Sequence, residues 1–416
     1  MSKPRTTVIG AGIAGISAAD FLQRAGHDVT VIDRLPPGEG CSFGNAGGVA
    51  FAEVMPMIHM GVLRKLPGWL LDPLGPLTIR WRYLPKVLPW FLAAARNATP
   101  ARFEAIAQAR AALALRVVKD FDTLLNDAGR ADLMVRRETI RVFDDEAQFR
   151  AEQPERDLKA RLGFPVELYS GDEIREMEPA LGPAVIRAAS HGGWYYVRNP
   201  ETVVKVIAAR FVGQGGRILQ DDVKAIARDG NRATALTLAQ GGRHDFNTLV
   251  ICGGAYSHLL ARQLGEHVPL EAERGYHIVL PDSGVSISRS ITYARTPGVA
   301  TPMDVGLRLA GTDEFAGLEA EPDYARADIL VPLFRKIFPA LKEPGASATR
   351  WMGRRPGTPD SLPVIGPSRT TANVFYGFGH GHMGLTWGPS TGRLLAEIIT
   401  GAPLNFDLQP FRVDRF

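Results

Sequence analysis

The sequence has little cysteine, no long apolar run and almost no excess of charge. Its 416 residues include only Cys41 and Cys252, far apart in the chain. A disulfide framework is excluded, and the thiols fit a reducing, cytoplasmic compartment. No uncharged stretch approaches the roughly 20 apolar residues of a spanning helix. The longest apolar run in its region, Val87–Ala95, is interrupted by Pro89. The N-terminus is broken by Gly10, Gly12 and Gly15 and reaches Asp20 without a small-residue cleavage site, so no secretion signal is expected. Lys plus Arg total 48 against 44 Asp plus Glu, a net charge of +4 that does not suit a nucleic-acid binder. Internal repeats and low-complexity tracts are absent.

What is present is an ordinary globular balance, 45% apolar and 22% charged, over a length that suggests roughly two to four domain-sized units. The charge is uneven, however. Residues 54–102 hold Arg64, Lys65, Arg80, Arg82, Lys86, Arg96 and Arg102 against the single acid Asp72. The same segment carries Trp69, Trp81 and Trp90 and seven prolines, which predict only short helices. Short basic, Trp-bearing helices suit an anionic membrane surface, and a cap with buried Trp and solvated Arg reads equally well.

Along the chain, Thr6–Ile9 reads as a buried parallel strand, Ile13–Arg24 as a helix ended by Gly26, and His27–Ile32 as a second strand. Phe103–Asn126 has the apolar spacing of one long amphipathic helix. Pro200–Val212 is a helix with Pro in its first turn, Arg217–Leu219 and Thr248–Cys252 are strands, and Asn373–Tyr376 and Pro389–Thr400 are the last strand and helix. The early part is one βαβ unit, and 131–195 and 266–343 read as mixed short strands and helices.

Gly10-Ala-Gly12-Ile-Ala-Gly15 sits in that βαβ unit, and Asp33 closes the second strand 18 residues after Gly15. This context makes the motif a dinucleotide-binding fingerprint. Gly10 permits the tight turn, Gly12 the approach of a pyrophosphate, and Gly15 close helix–strand packing. The helix N-terminus around Ile13 and Ala14 offers unpaired N–H groups to phosphate, and Asp33, followed by Arg34, can accept from a ribose. Gly379-His-Gly381-His-Met-Gly384 has the same spacing, but only 32 residues remain after Gly384, too few for a second strand with a terminal acid. We read it instead as a glycine-rich loop pressed against something flat, with a helix N-terminus aimed at it.

The fingerprint, the Cys41-Ser-Phe-Gly-Asn45-Ala-Gly-Gly48 loop, Val250-Ile-Cys-Gly-Gly-Ala-Tyr256, Gly353-Arg-Arg355-Pro-Gly-Thr-Pro-Asp360-Ser-Leu-Pro363-Val-Ile-Gly366 and Gly379–Thr386 occur in this order. Together they resemble the FAD-dependent D-amino-acid oxidase superfamily, and within it the D-amino-acid dehydrogenase group that includes D-hydroxyproline dehydrogenases. The resemblance implies a Rossmann-like α/β FAD domain assembled from 1–58, 196–265 and 345–416. It also implies an α+β substrate or cap domain, with a mixed antiparallel sheet, from 59–195 and 266–344.

It implies non-covalent FAD. Ser42, Asn45, Ala46, Gly47 and Gly48 would line the ring, Val223 would meet the adenine, and Cys252, Gly253 and Gly254 would pass near the adenosine. Gly353 and Gly381, His382, Met383, Gly384, Leu385 and Thr386 would lie by the flavin. A helix dipole and N–H groups there would steady the charge that reduction places on the pyrimidine edge.

Superfamily relatives hold the substrate carboxylate with the Arg before this Pro, so Arg355 is the first candidate, with Arg354 the other choice. The guanidinium fork matches a carboxylate. His382 stands where the glycine-oxidase-like branch has a second carboxylate-binding Arg, which argues against glycine or sarcosine. His380-x-His382 without an acid cluster is a poor metal pair, and no metal site is expected. Tyr276, Tyr256 and Arg308 complete the candidate catalytic set.

The implied reaction is dehydrogenation of a D-amino acid, such as D-proline or hydroxy-D-proline, by hydride transfer from Cα to flavin N5. Electrons would pass to a quinone or another non-oxygen acceptor, and 54–102 would touch the inner membrane face. No protein base is required if the amine binds deprotonated, in keeping with the lack of an obvious Asp or Glu dyad. An oxygen-using oxidase and a non-catalytic flavin subunit are the rival readings.

Overall fold

A computed structural model describes residues 3–57, 68, 75, 77–296 and 298–416. Arg64, Lys65, Trp69 and Asp72 of the basic segment lie outside the described residues. Two large sheets organise the rest. The first has six strands in the order Arg217–Gln220, Asp28–Asp33, Arg5–Ile9, Thr248–Ile251, Val374–Phe378 and Val364–Pro367. All pair in parallel except the last, which closes the edge antiparallel. Near-continuous burial of Val8, Val29, Val31, Val250 and Ile251 explains their β-branched composition, because both faces of this sheet are covered. On one face lie the helices Ile13–Arg24, Pro200–Gly213 and Gly384–Thr400; the other packs on the antiparallel strands Val223–Asp229, Arg232–Leu238 and Arg243–Asp245.

The second sheet has nine strands and runs Thr349–Gly357, Glu271–Leu280, Gly306–Phe315, Gly298–Met303, Ile291–Tyr293, Ile140–Phe143, Arg187–Ser190 and Leu168–Ser170, with Leu77–Ile79 added on Gly306–Phe315. Phe334, Phe338 and Ile337 fill the core behind it. The α/β plus α+β composition matches the expected class. Two stretches depart from the expected boundaries. Thr349–Gly357, placed with the cofactor domain, edges the nine-stranded sheet, and Val117–Asp127, placed with the cap, shares the core of Gly384–Thr400.

Three helix readings change. The long helix is two, Pro100–Ala114 and Val117–Asp127. The break is a tight turn in which Arg116 N–H donates to Leu113 O at 3.2 Å, and it carries the Arg116 guanidinium to both oxygens of Glu397, at 2.8 and 2.9 Å. Despite its prolines, Leu84–Asn97 is a 14-residue helix. Pro85 sits harmlessly in the first turn, and burial of Val87, Trp90 and Ala94 against Ile79 and Phe315 outweighs the hydrogen bond lost at Pro89. The last helix begins at Gly384, not Pro389, which brings its N-terminus directly behind the Gly379–Gly384 motif.

Candidate active site

The fingerprint turn is built by close backbone approach. Gly10 has φ +111°, and a Cβ there would lie 2.3 Å from the Cys252 carbonyl oxygen. A Cβ on Gly15 would lie 1.9 Å from the Gly10 oxygen. Asp33 ties the turn to the second strand: one carboxylate oxygen accepts from Ala11 N–H at 2.7 Å and the other from Leu35 N–H at 2.9 Å. Ser42 Oγ accepts from Ile13 N–H at 3.2 Å, so the loop after the second strand is attached to the helix start. Val223, Cys252, Gly253 and Gly254 face the same space. Burial pushes the Cys252 thiol up to about 12, so it offers no thiolate.

The Cys41–Gly48 loop is pinned against the second sheet. Arg308 Nη1 donates to the carbonyls of Asn45 and, at 3.3 Å, Phe43. His277 Nδ1 donates to Gly44 O at 2.9 Å, and its ring stacks on Trp351. Burial pushes His277 down to about 3, so it stays neutral in this role. A Cβ on Gly44 would lie 2.0 Å from the Trp351 ring, and one on Gly48 2.4 Å from Trp194 Nε1. That indole N–H is buried with no partner among the described residues, a donor left for a bound group. The expected substrate role of Arg308 is therefore corrected: it is buried and spent on the loop that it holds.

Strand alternation decides the remaining candidates. Trp351, Gly353 and Arg355 pair with His277, Gly275 and Glu273, and this face meets the pinned loop. Arg354, Arg274, Tyr276 and Glu314 point the other way. There the Tyr276 hydroxyl donates to Glu314 at 2.6 Å and accepts from Asp323 N–H at 3.1 Å. The Tyr276 hydroxyl, expected to face substrate, is thus taken up by Glu314 and Asp323, and burial together with Glu314 pushes its pKa up to about 12. Tyr256 is also relocated. It carries the Arg34 guanidinium on its ring at 3.9 Å, at the nucleotide end. The choice between the two arginines falls to Arg355, because Arg354 Nε donates to the Leu318 carbonyl on the far side.

Arg355 lies flat over Gly275, where a Cβ would sit 1.9 Å from its Cζ, and it pairs with Asp313. Asp313 Oδ1 is also 3.8 Å from His382 Nε2, which in turn lies 2.9 Å from Glu273 Oε2. Four charged or ionisable groups from three strands and one turn thus converge. The sequence reading missed Asp313 and Glu273; an acid pair does stand beside Arg355. Asp313 faces this side because of a β-bulge. Gly275 pairs with Asp313 and Tyr276 with Gly311, leaving Thr312 unpaired with φ +56°. A β-branched residue in that conformation costs roughly 1–3 kcal/mol. His380 packs away, its Nε2 2.8 Å from Thr391 Oγ1. Among the described residues no cluster of three His, Cys, Asp or Glu could hold a metal ion.

One cavity of about 2320 Å³ joins the Gly12 turn, the pinned loop, the Gly381–Met383 turn and the Arg355 cluster, and continues to Arg141 and Glu152. That is more than twice a drug-sized pocket, room for a dinucleotide and a small substrate together. The N-termini of Ile13–Arg24 and Gly384–Thr400 both open onto it. The glycine cradle, the helix ends and the free Trp194 N–H fit a bound FAD.

Comparison with known proteins agrees. The family described as DAO, FAD dependent oxidoreductase, matches residues 5–398. The chain is 35% identical to a D-amino-acid oxidase of Bradyrhizobium diazoefficiens, over 98% of this chain and 98% of that protein. It is 30% identical to a D-amino acid dehydrogenase of Sinorhizobium medicae, over 99% of this chain and 100% of the other. In fold it is similar to the glycine oxidase of Geobacillus kaustophilus, with a TM-score of 0.74, 19% identity and full coverage of both chains.

Proposed function

Because the chain belongs to the FAD dependent oxidoreductase family, with FAD as its cofactor, we propose that it dehydrogenates a D-amino acid and that Arg355 anchors the substrate carboxylate. The observation that carries this reading is Arg355 itself, lying over Gly275 in the cavity shared with the cofactor cradle. Bound FAD supplies a two-electron acceptor for the Cα hydrogen. The chain's own contribution is positioning. The guanidinium fork fixes the carboxylate, the bare Gly275 strand lets it lie flat, and the Arg308 and His277 hydrogen bonds hold the ring loop still. The full-length relatives named as acting on D-amino acids support the substrate class, and D-proline or hydroxy-D-proline is the candidate within it.

Anaerobic mixing with a panel of D-amino acids tests the reading. Bleaching of the flavin by D-proline, cis-4-hydroxy-D-proline or another D-amino acid is the expected result. A flavin that stays oxidised with every member contradicts it. The acceptor is proposed to be a quinone or similar carrier: turnover with dye and little peroxide in air is expected. The rival reading, an oxygen-using oxidase, draws on the relative named D-amino-acid oxidase, and rapid peroxide formation would favour it.

A membrane-surface contact has its own observation. No helix among the described residues is long and apolar enough to cross a membrane. But Leu88 (48% exposed) and Leu92 (55%), one turn apart on the same helix, and Trp81 (71%) just before it stand exposed in a segment with exposed Arg82, Lys86 and Arg96, while Trp90 turns into the core. Exposed apolar side chains among cations suit an anionic bilayer. Flotation with phosphatidylglycerol vesicles at low salt should carry the protein upward, and about 0.5 M salt should release it, since screening then acts within a few ångströms. Failure to float at low salt contradicts the contact.

A further inference from the structure

We infer that Asp313 takes the proton from the substrate's α-ammonium, and so selects amino acids over plain carboxylates. The inference rests on Arg355 being the carboxylate anchor. Asp313 is the counter-ion that Arg355 already has. A carboxylate arriving on Arg355 must therefore sit beside a second carboxylate. A simple acid meets repulsion there, whereas an α-amino acid brings a cation on the adjoining carbon to the same oxygen.

The backbone is arranged to make this juxtaposition. Ala310 pairs with His277 and Asp313 with Gly275, so both face the cavity although they stand an odd three positions apart. Regular alternation would turn Asp313 behind the sheet; the bulge at Thr312, held in the left-handed region with its hydroxyl donating to Arg326 O at 3.1 Å, returns it to the front. The charged groups packed around Asp313 are Arg355, which reaches across the intervening Glu271–Leu280 strand, Glu273 two residues from Gly275 on that strand, His382 on the Gly381–Met383 turn, and Arg326, which donates to the Asp313 backbone carbonyl at 3.2 Å. Glu273 acts as a positioning residue for His382, holding its ring against Asp313.

In the step itself one ammonium N–H bond breaks. The electron pair stays on nitrogen and the proton passes to the Asp313 carboxylate. The freed lone pair would let the Cα hydrogen leave with its two electrons, which a bound FAD would accept, and the substrate would become an iminium ion.

Two ligands of nearly the same shape test this, neither of them a substrate. Isobutyrate has no amine, and 2-aminoisobutyrate has no Cα hydrogen. Each is titrated into the holoenzyme and read from the flavin absorbance. Asp313→Asn is expected to tighten isobutyrate and weaken 2-aminoisobutyrate, so that the preference between them moves by about tenfold or more. Both affinities moving the same way, or neither moving, overturns the inference. If Asp313→Asn fails to load FAD, the wild type serves alone: at neutral pH it should bind 2-aminoisobutyrate more tightly than isobutyrate, and equal or tighter binding of isobutyrate overturns the inference. Rapid-mixing reduction adds a kinetic arm, in which Asp313→Asn should recover activity only towards the alkaline pH at which the amine deprotonates unaided; an equal loss at every pH overturns proton transfer. If no D-amino acid bleaches the wild-type flavin, it is the functional reading that fails, and the ligand preference is still measured.

Discussion

Arg355→Ala raises the KM for the amino acid by about a hundredfold or more, the scale expected when one partner of a desolvated, charge-assisted pair is removed. The yellow colour of the purified protein does not change, because Arg355 touches Gly275 and Asp313 and none of the fingerprint glycines. The loss exceeds that of a missing hydrogen bond. Without the guanidinium, Asp313 and Glu273 stand in the cavity with only His382 to balance them, so an incoming carboxylate is repelled. Arg355→Lys restores charge but not the fork, and recovers part of the affinity. Steady-state kinetics with an artificial acceptor, paired with the ratio of absorbance at 450 and 280 nm, separates the two effects. A KM within about threefold of wild type, well under one charged hydrogen bond, rejects the anchor.

Gly15→Ala yields protein without FAD. The added Cβ would stand 1.9 Å from the Gly10 carbonyl oxygen and 2.9 Å from its carbon, both backbone atoms of a turn that itself abuts Cys252. Neither side can retreat as a flexible side chain would, so the helix start must withdraw from the strand and carry its N–H groups away from the phosphates. Gly26→Ala is the comparison. It also has positive φ, +91°, but nothing lies within 4 Å of its Cβ, so the cost is confined to backbone strain of about 1 kcal/mol. Flavin content and thermal midpoint should fall together in Gly15→Ala, whereas Gly26→Ala keeps its flavin. Full loading of Gly15→Ala contradicts the close-packing argument.

The parts legible in the sequence are those whose chemistry is local. Gly10 to Asp33 spans one strand–turn–helix–strand, so its spacing alone carries the geometry, and the folded turn adds only the hydrogen bonds from Ala11 and Leu35. The Gly379–Gly384 motif is local in the same way, running straight into the helix Gly384–Thr400 whose start lines the cavity. Arg355 could be named through resemblance, but its companions could not. Asp313 and Glu273 arrive from strands whose neighbours are set by the order of a nine-stranded sheet, and Asp313 faces forward only through a bulge at Thr312, a residue with no local mark of left-handed backbone. Tyr276 was misread for a simpler reason: on the right strand but one residue out of phase with Gly275, its side chain belongs to the far face. Arg308 was taken for a substrate ligand because its strand lines the cavity, whereas its guanidinium reaches past it to the carbonyls of a loop more than 250 residues earlier. Pro89 misled in the opposite sense, since tertiary burial outweighed a local preference.

The first and last long helices of the chain are pressed together at two points where the last helix contributes no side chain. A Cβ on Gly392 would meet Ala18 N at 2.5 Å, and one on Gly388 would meet Ile13 at 2.9 Å. The Arg5–Ile9 strand likewise takes one partner near residue 30 and another near residue 250, with the next strand in line near 375. During synthesis the fingerprint therefore leaves the ribosome long before the residues that complete its cradle. At about 5–20 residues per second, the interval from Gly15 to Gly392 is on the order of 20 to 75 seconds. Through that time the N-terminal strands can pair with one another and with the strand near 250, but the strand near 375 and the helix that covers the turn are still missing. The cradle is therefore complete only once the C-terminal helix docks over a turn made long before it.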